Sequence, residues 1–179
     1  AIIKLLHTYG ARNIISVDSK GAIGSSRTDL NPEKTALLDF IDGSAQGSLD
    51  DVIVDADIFI GVSKPGVLSA DMVKKMADKS VIFALSNPLP EIMPDVAKSA
   101  GAAVIATGRS DFPNQVNNAL AFPAIFRGAL DNGVKQITDD HKLAAAEAIA
   151  SLVENPSAEE VIPSVFHKDL VSTVANVIR

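Results

Sequence analysis

Residues 81–91 read VIFALSNPLPE. Val81 to Leu85 are apolar without alternation, and the run then breaks into Ser86, Asn87 and Pro88. A short apolar run bounded by turn residues fits a strand of a parallel sheet covered on both faces. Pro88 has no N–H to give to a ladder, so the strand ends there. The proline also restricts Asn87 to extended backbone, which fixes where its amide points.

The same grammar repeats outward from this stretch. Residues 57–63 (DIFIGVS) and 102–107 (AAVIAT) read as apolar strands, and 13–18 (NIISVD) as a β-branched one. Helices separate them. The first is AIIKLLHTYG, residues 1–10, with an apolar stripe and Gly10 as C-cap. Residues 19–31 form a loop, and 31–41 a helix with Asn31 as N-cap and Pro32 at its first position. Helices follow at 48–56 behind Ser48, at 69–78 behind Ser69, and at 90–101, ended by Gly101. Beyond residue 114 the chain is helical, at about 115–131, 139–153 and 168–178, with the Pro-containing connector ENPSAEEVIPSVFH at 154–167. Strands alternating with helices predict an α/β fold, a doubly wound parallel sheet of Rossmann type followed by C-terminal helices. The expected division is a nucleotide-binding domain over 1–155 and a connector and helix over 156–179.

Composition narrows the function. Of 179 residues 47% are hydrophobic but only 4% aromatic, so the core is aliphatic. The net charge of −6 argues against a nucleic-acid binder, which usually carries a basic face. There is no cysteine, hence no disulfide framework and no thiolate site. No apolar run reaches about 18 residues, so no membrane partner is expected. A cytoplasmic protein is the expectation. The first residues do not have the pattern of a signal peptide and lack an initiator Met, which reads as a portion of a longer chain.

In such sheets ligands bind at the carboxyl ends of the strands. Four polar or glycine-rich segments follow the expected strands: Asp18-Ser19-Lys20-Gly21, Gly61-Val62-Ser63, Ser86-Asn87-Pro88 and Thr107-Gly108-Arg109. Four such ends in register predict one shared crevice. An acidic residue such as Asp18 hydrogen-bonds the adenosine ribose in dinucleotide folds, about 20 residues after a G-x-G-x-x-G turn. No G-x-G-x-x-G occurs here, so the fold reads as lacking its first strand and phosphate loop, and Asp18 reads equally as a turn residue. Asp18 favours NAD, while Lys20 or Arg27 could still accommodate the 2′-phosphate of NADP.

Asn117 and Asn118 fall where a buried helix is expected, although asparagine is a poor helix former. Their amides suit a carboxylate or carboxamide ligand. The alternative is capping, with Asn114 as N-cap and the pair in the first turn. Arg109 and Arg127 read as carboxylate partners or surface ion pairs, the latter favoured for Arg127. His7, His141 and His167 are scattered and predict no metal site. Asp50-Asp51 and Asp139-Asp140 sit at helix starts, where carboxylates complement the dipole.

The motifs SVDSKGAI, ADIFIGVSKPGVLS, FALSNPLPEI and ATGRSDFPNQVNNALAFPAIFRGALD closely resemble, in order, the C-terminal NAD-binding half of bacterial malic enzyme, and VIPSVFHKDLVSTVANVIR resembles that family's C-terminus. The resemblance implies oxidative decarboxylation of malate to pyruvate and CO2 with NAD or NADP and a divalent Mg2+ or Mn2+. It implies that Asn87, Asn117 and Asn118 contact malate. It places Asp18, Ser19 and Lys20 at the adenosine ribose, and Gly61, Val62, Ser63 and Asn87 near the nicotinamide. The family's catalytic Tyr and Lys and its metal ligands have no counterpart here, so catalytic and metal-binding residues are none and this segment alone is expected to be inactive. A homo-oligomer, dimer or larger, is also implied. Two other readings stand beside it: another Rossmann dehydrogenase, such as an amino-acid dehydrogenase, and a non-catalytic nucleotide-binding or oligomerisation module.

Overall fold

The computed structural model describes residues 1–179, whose contacts fall into two units, Ala1–Ala56 and Asp57–Arg179. In the first unit, helix α1 (Ile2–Tyr9) ends at Gly10, whose φ of 115° lets its N–H turn back to the carbonyls of Leu6 and His7. His7 meets the Phe40 ring edge-on at 5.4 Å. The strand expected over 13–18 shrinks to β1 (Val17–Asp18), which forms a tight antiparallel hairpin with β2 (Gly21–Ala22). It is not part of the parallel sheet. The backbone of the preceding segment serves loops instead of a ladder: Ile14 O accepts from Asp42 N–H, and Ser16 O from Ile23 N–H.

The caps fall where the sequence puts them, but the helices are short. In α2 (Pro32–Thr35) Asn31 accepts the Lys34 N–H at 2.9 Å. The chain then continues to Phe40 in tighter i to i+3 turns, Leu37 to Lys34, Leu38 to Thr35 and Phe40 to Leu37. Before α3 (Leu49–Val52) the Asp51 carboxylate accepts both the N–H and the O–H of Ser48. Ala22, Ile23 and Ile53 form the buried centre of this unit.

In the second unit, β3 (Ile58–Gly61), β4 (Val81–Ala84) and β5 (Val104–Thr107) form a parallel sheet in the order β3-β4-β5. Helices α4 (Ala70–Val73) and α5 (Pro94–Ser99) make the crossovers. Ser69 caps α4 by accepting the Met72 N–H. Ile82 and Ala84 of the central strand are fully buried, but Val81 and Phe83 on its other face are half-buried and Ile58 at the edge is 56% exposed. The expected cover on both faces is therefore complete on one and partial on the other. Helix α5 begins at Pro94 rather than Pro90, because residues 86–93 form a polar-lined turn rather than helix.

The chain closes with helices α6 (Phe122–Asp131), α7 (Asp139–Ala150) and α8 (Leu170–Ala175). Leu120, Ala124, Ala145, Ala148, Leu170, Val174 and Ile178 make their common core. Small residues permit close approach: a Cβ on Gly128 would lie 2.4 Å from the Ala175 carbonyl, so only glycine lets α6 and α8 touch there. Residues 156–179 pack within this unit.

Candidate functional site

Parallel pairing sets Gly61 opposite Ala84 and Ala84 opposite Thr107. The segments that follow β3, β4 and β5 consequently leave the sheet at one edge, which brings together three of the four predicted strand ends. The fourth, Asp18–Gly21, is the hairpin turn of the first unit. After β5 the chain doubles back, and Gln115 pairs in parallel with Thr107, the Val116 N–H donating to Thr107 O at 2.8 Å. Asn117 and Asn118 therefore run off the same edge.

The asparagines do not sit inside the long buried helix expected from residue 115. A short 3-10 helix (Asn118–Leu120) precedes α6, and the Asn117 side chain caps it by accepting the Ala119 N–H at 2.9 Å. Asn118 is exposed. Asn114 is no cap: it is buried with φ 54°, and it links distant backbone. Its amide nitrogen donates to Ile105 O and Ala158 O, and its oxygen accepts from Val161 N–H. Arg109 forms a paired contact with the Asp111 carboxylate at 2.6–2.8 Å, and Arg127 pairs with Asp131 one turn along α6. Both arginines are in surface ion pairs.

Asn87 projects from the end of β4 with its side chain exposed, joined to Pro88 by a cis peptide bond. Ser86, buried beside it, donates its hydroxyl to Leu89 O at 2.6 Å and so closes the turn. Gly61 is buried, Val62 is 63% exposed, and Ser63 lies in the exposed loop beyond. Glu91, which falls in the helix expected over 90–101 but lies before the start of α5, is fully buried behind them. Its carboxylate accepts the Ser63 N–H at 2.9 Å on one oxygen and the Ser86 N–H at 3.0 Å on the other. The only local sign of it is a carboxylate set between Pro90 and Ile92 in the otherwise apolar run LPEIMP.

In the first unit the Asp18 carboxylate accepts the Lys20 N–H at 2.8 Å, which makes it the anchor of the hairpin turn. It also takes Arg27 at 2.7 Å and Lys34 at 2.5 Å, while Asp29 takes Lys20 at 2.6 Å and Arg27 at 2.8 Å. The hydrogen bonds from Arg27 and then Lys34 hold the Asp18 carboxyl well below the usual range. Arg27 and then Lys20 do the same to Asp29, and Asp29 and then Asp18 raise the Arg27 guanidinium. Ser19 is exposed at the tip. Three cations face two carboxylates, so the cluster keeps one net positive charge. Lys34, a partner of Asp18, lies 16 residues from it, and nothing in the sequence pattern joins the two.

Comparison with known proteins gives a consistent result. Residues 5–178 match the family model described as the NAD-binding domain of malic enzyme. The chain is 55% identical to the bifunctional malic/malolactic enzyme of Bacillus subtilis over 99% of its own length and 44% of that protein's. It is 51% identical to an NAD-dependent malic enzyme of Geobacillus stearothermophilus, over 97% of this chain and 37% of the relative. An NADP-dependent malic enzyme of Halomonas elongata is 45% identical over 96% and 40%. The solved NAD-dependent malic enzyme of Thermotoga maritima superposes with a TM-score of 0.93 at 42% identity, over 99% of this chain and 47% of that one. The chain thus spans less than half the length of these relatives.

Proposed function

Since the chain belongs to the malic enzyme family and comprises its NAD-binding domain, we propose that it supplies the dinucleotide and malate contacts for oxidative decarboxylation of malate to pyruvate and CO2. The observation that carries this reading is the common edge of β3, β4 and β5, where Gly61–Ser63, Asn87 and Asn117–Asn118 emerge together. Small residues at two of these ends let a flat ligand approach the backbone, as a nicotinamide requires. The exposed Asn87 amide offers both a donor and an acceptor, which suits a hydroxy acid carboxylate and its neighbouring hydroxyl. Of the asparagine pair, Asn118 takes the substrate role and Asn117 the capping role, because the Asn117 oxygen is already engaged.

Asp18, Ser19 and Lys20 are assigned to the adenosine ribose. The Asp18 oxygens retain acceptor capacity beyond their three partners, and the surplus positive charge of the cluster tolerates a 2′-phosphate, so either NAD or NADP is compatible with it. These residues bind and orient. None is placed as the acid or base: Lys20 is paired with Asp29, and Tyr9 is an exposed residue at the end of α1. No group of three or more His, Asp or Glu side chains is arranged to hold a metal ion. No residue of this chain is proposed as a ligand for the divalent metal that the family resemblance implies.

The test is Asn87→Ala in the full-length protein. Turnover at low malate is expected to fall on the order of 100-fold, the scale on which lost substrate positioning acts, and far more than dinucleotide binding is weakened. Wild-type turnover at low malate would remove Asn87 from the substrate site.

A further inference from the structure

The amides just past the end of a parallel ladder have no strand partner, and a buried N–H without an acceptor is costly. The last ladder bond between β3 and β4 runs from Leu85 N–H to Gly61 O at 3.0 Å. The next amides, those of Ser63 and Ser86, both end on the Glu91 carboxylate, one on each oxygen. A single side chain therefore bridges the two loops that carry the proposed ligand contacts. Glu91 is itself held through its backbone, since its carbonyl accepts the Leu68 N–H at 3.2 Å. Gly61 makes the room: a Cβ there would lie 2.5 Å from the Glu91 carboxyl carbon. The absence of a side chain on β3 and the presence of a carboxylate after β4 are matched features, although 30 residues separate them in sequence.

We propose that Glu91 is a positioning residue: its buried carboxylate fixes the Ser63 and Ser86 amides, and through Ser86 it sets the direction of the Asn87 side chain. The proposal rests on the reading of Asn87 as a malate contact. It differs from a merely structural role because it couples two loops to one ligand. Glutamine keeps the volume but replaces one acceptor oxygen with an NH2 donor, so one of the two backbone amides would face another donor.

The experiment is Glu91→Gln in the full-length protein, measured in three ways. Steady-state kinetics should show the malate KM rising, with kcat/KM falling on the order of 10- to 100-fold. In the double variant with Asn87→Ala the two losses should not multiply, because Glu91 acts through Asn87. Amide hydrogen exchange should show Ser63 and Ser86 protected in the wild type and released in the variant. Wild-type kinetic constants in Glu91→Gln, or fully multiplicative losses, would overturn the proposal. So would Ser63 and Ser86 amides that exchange as freely in the wild type as those of an open loop. If Glu91→Gln does not fold, Gly61→Ala displaces the carboxylate without removing it and should release the Ser86 amide; continued protection would count against the proposal. If the wild-type protein oxidises no malate with either dinucleotide, the functional reading fails, while amide exchange still decides whether Glu91 holds the two loops.

Discussion

Asp18 and Glu91 are both carboxylates that secure a loop beside a strand end, one in each unit, and their partners differ in kind. Glu91 is fully buried and accepts two backbone N–H groups from the segments after β3 and β4. Asp18 accepts one backbone N–H, and its other partners are the side chains of Arg27 and Lys34. Arg27 and Asp18 are each 15% exposed at the side chain, and Lys20 at the margin of the cluster is 67% exposed. Backbone amides are fixed by the ladder that precedes them, so Glu91 binds to points that barely move. Long cationic side chains lose rotamer freedom to reach a carboxylate, and salt screens what they gain. The edge of the second unit is thus held by direction, and the turn of the first unit by charge.

The contrast can be broken most forcefully at Asn114, another buried group of the second unit that binds backbone. Asn114→Ala removes three hydrogen bonds to distant backbone and leaves alanine at φ 54°. The expected loss is about 3 kcal/mol, seen as a fall in Tm of about 6–12 °C. A Tm within about 2 °C of wild type would show that directional bonds matter less in this unit than the geometry implies.

A smaller effect is expected at the Asp18 cluster, and it should follow pH and salt. Asp18 and Asp29 titrate below the value of about 3.9 that an unfolded aspartate has. Their contribution to stability is therefore fully present above about pH 5 and is lost as pH falls through their lowered native values. An NMR titration following the Asp18 carboxyl carbon and the amides of residues 17–35 should show this loss in acid, and 1 M salt should weaken the cluster at neutral pH. Asp18 titrating near 3.9, or a cluster indifferent to salt, would mean that charge does not hold the turn. The smallest effect belongs to Arg127→Ala, which removes an exposed pair with Asp131 one helical turn away. Its thermal unfolding should stay within about 0.5 kcal/mol of wild type.

How much of this was legible in the sequence depends on how far each residue reaches along the chain. Asn31 and Ser69 accept amides three residues ahead, and Ser48 meets Asp51 at the same spacing, so their caps can be read locally. The three apolar strands are likewise visible as runs, and Gly10 as a helix end. The strand expected at 13–18 forms only at Val17–Asp18, because its β-branched residues say nothing about whether a neighbour pairs with them, and in this unit loops do so instead. The long helix expected from 115 fails at its start because Gln115 joins β5 and Asn117 caps a separate turn.

The sequence by itself determined the alternation of strands and helices, most caps, and the motifs that place the chain among malic enzymes, because each depends on composition or on residues a few positions apart. Only the tertiary structure decided which strand joined the sheet and that Asn117 caps a short 3-10 helix. It alone showed that Asn114 ties β5 to residues 44 and 47 positions later, and that Glu91 bridges Ser63 and Ser86. Those outcomes depend on which backbone groups are left unpaired once the strands are laid side by side, a property of neighbours in space that local pattern does not contain.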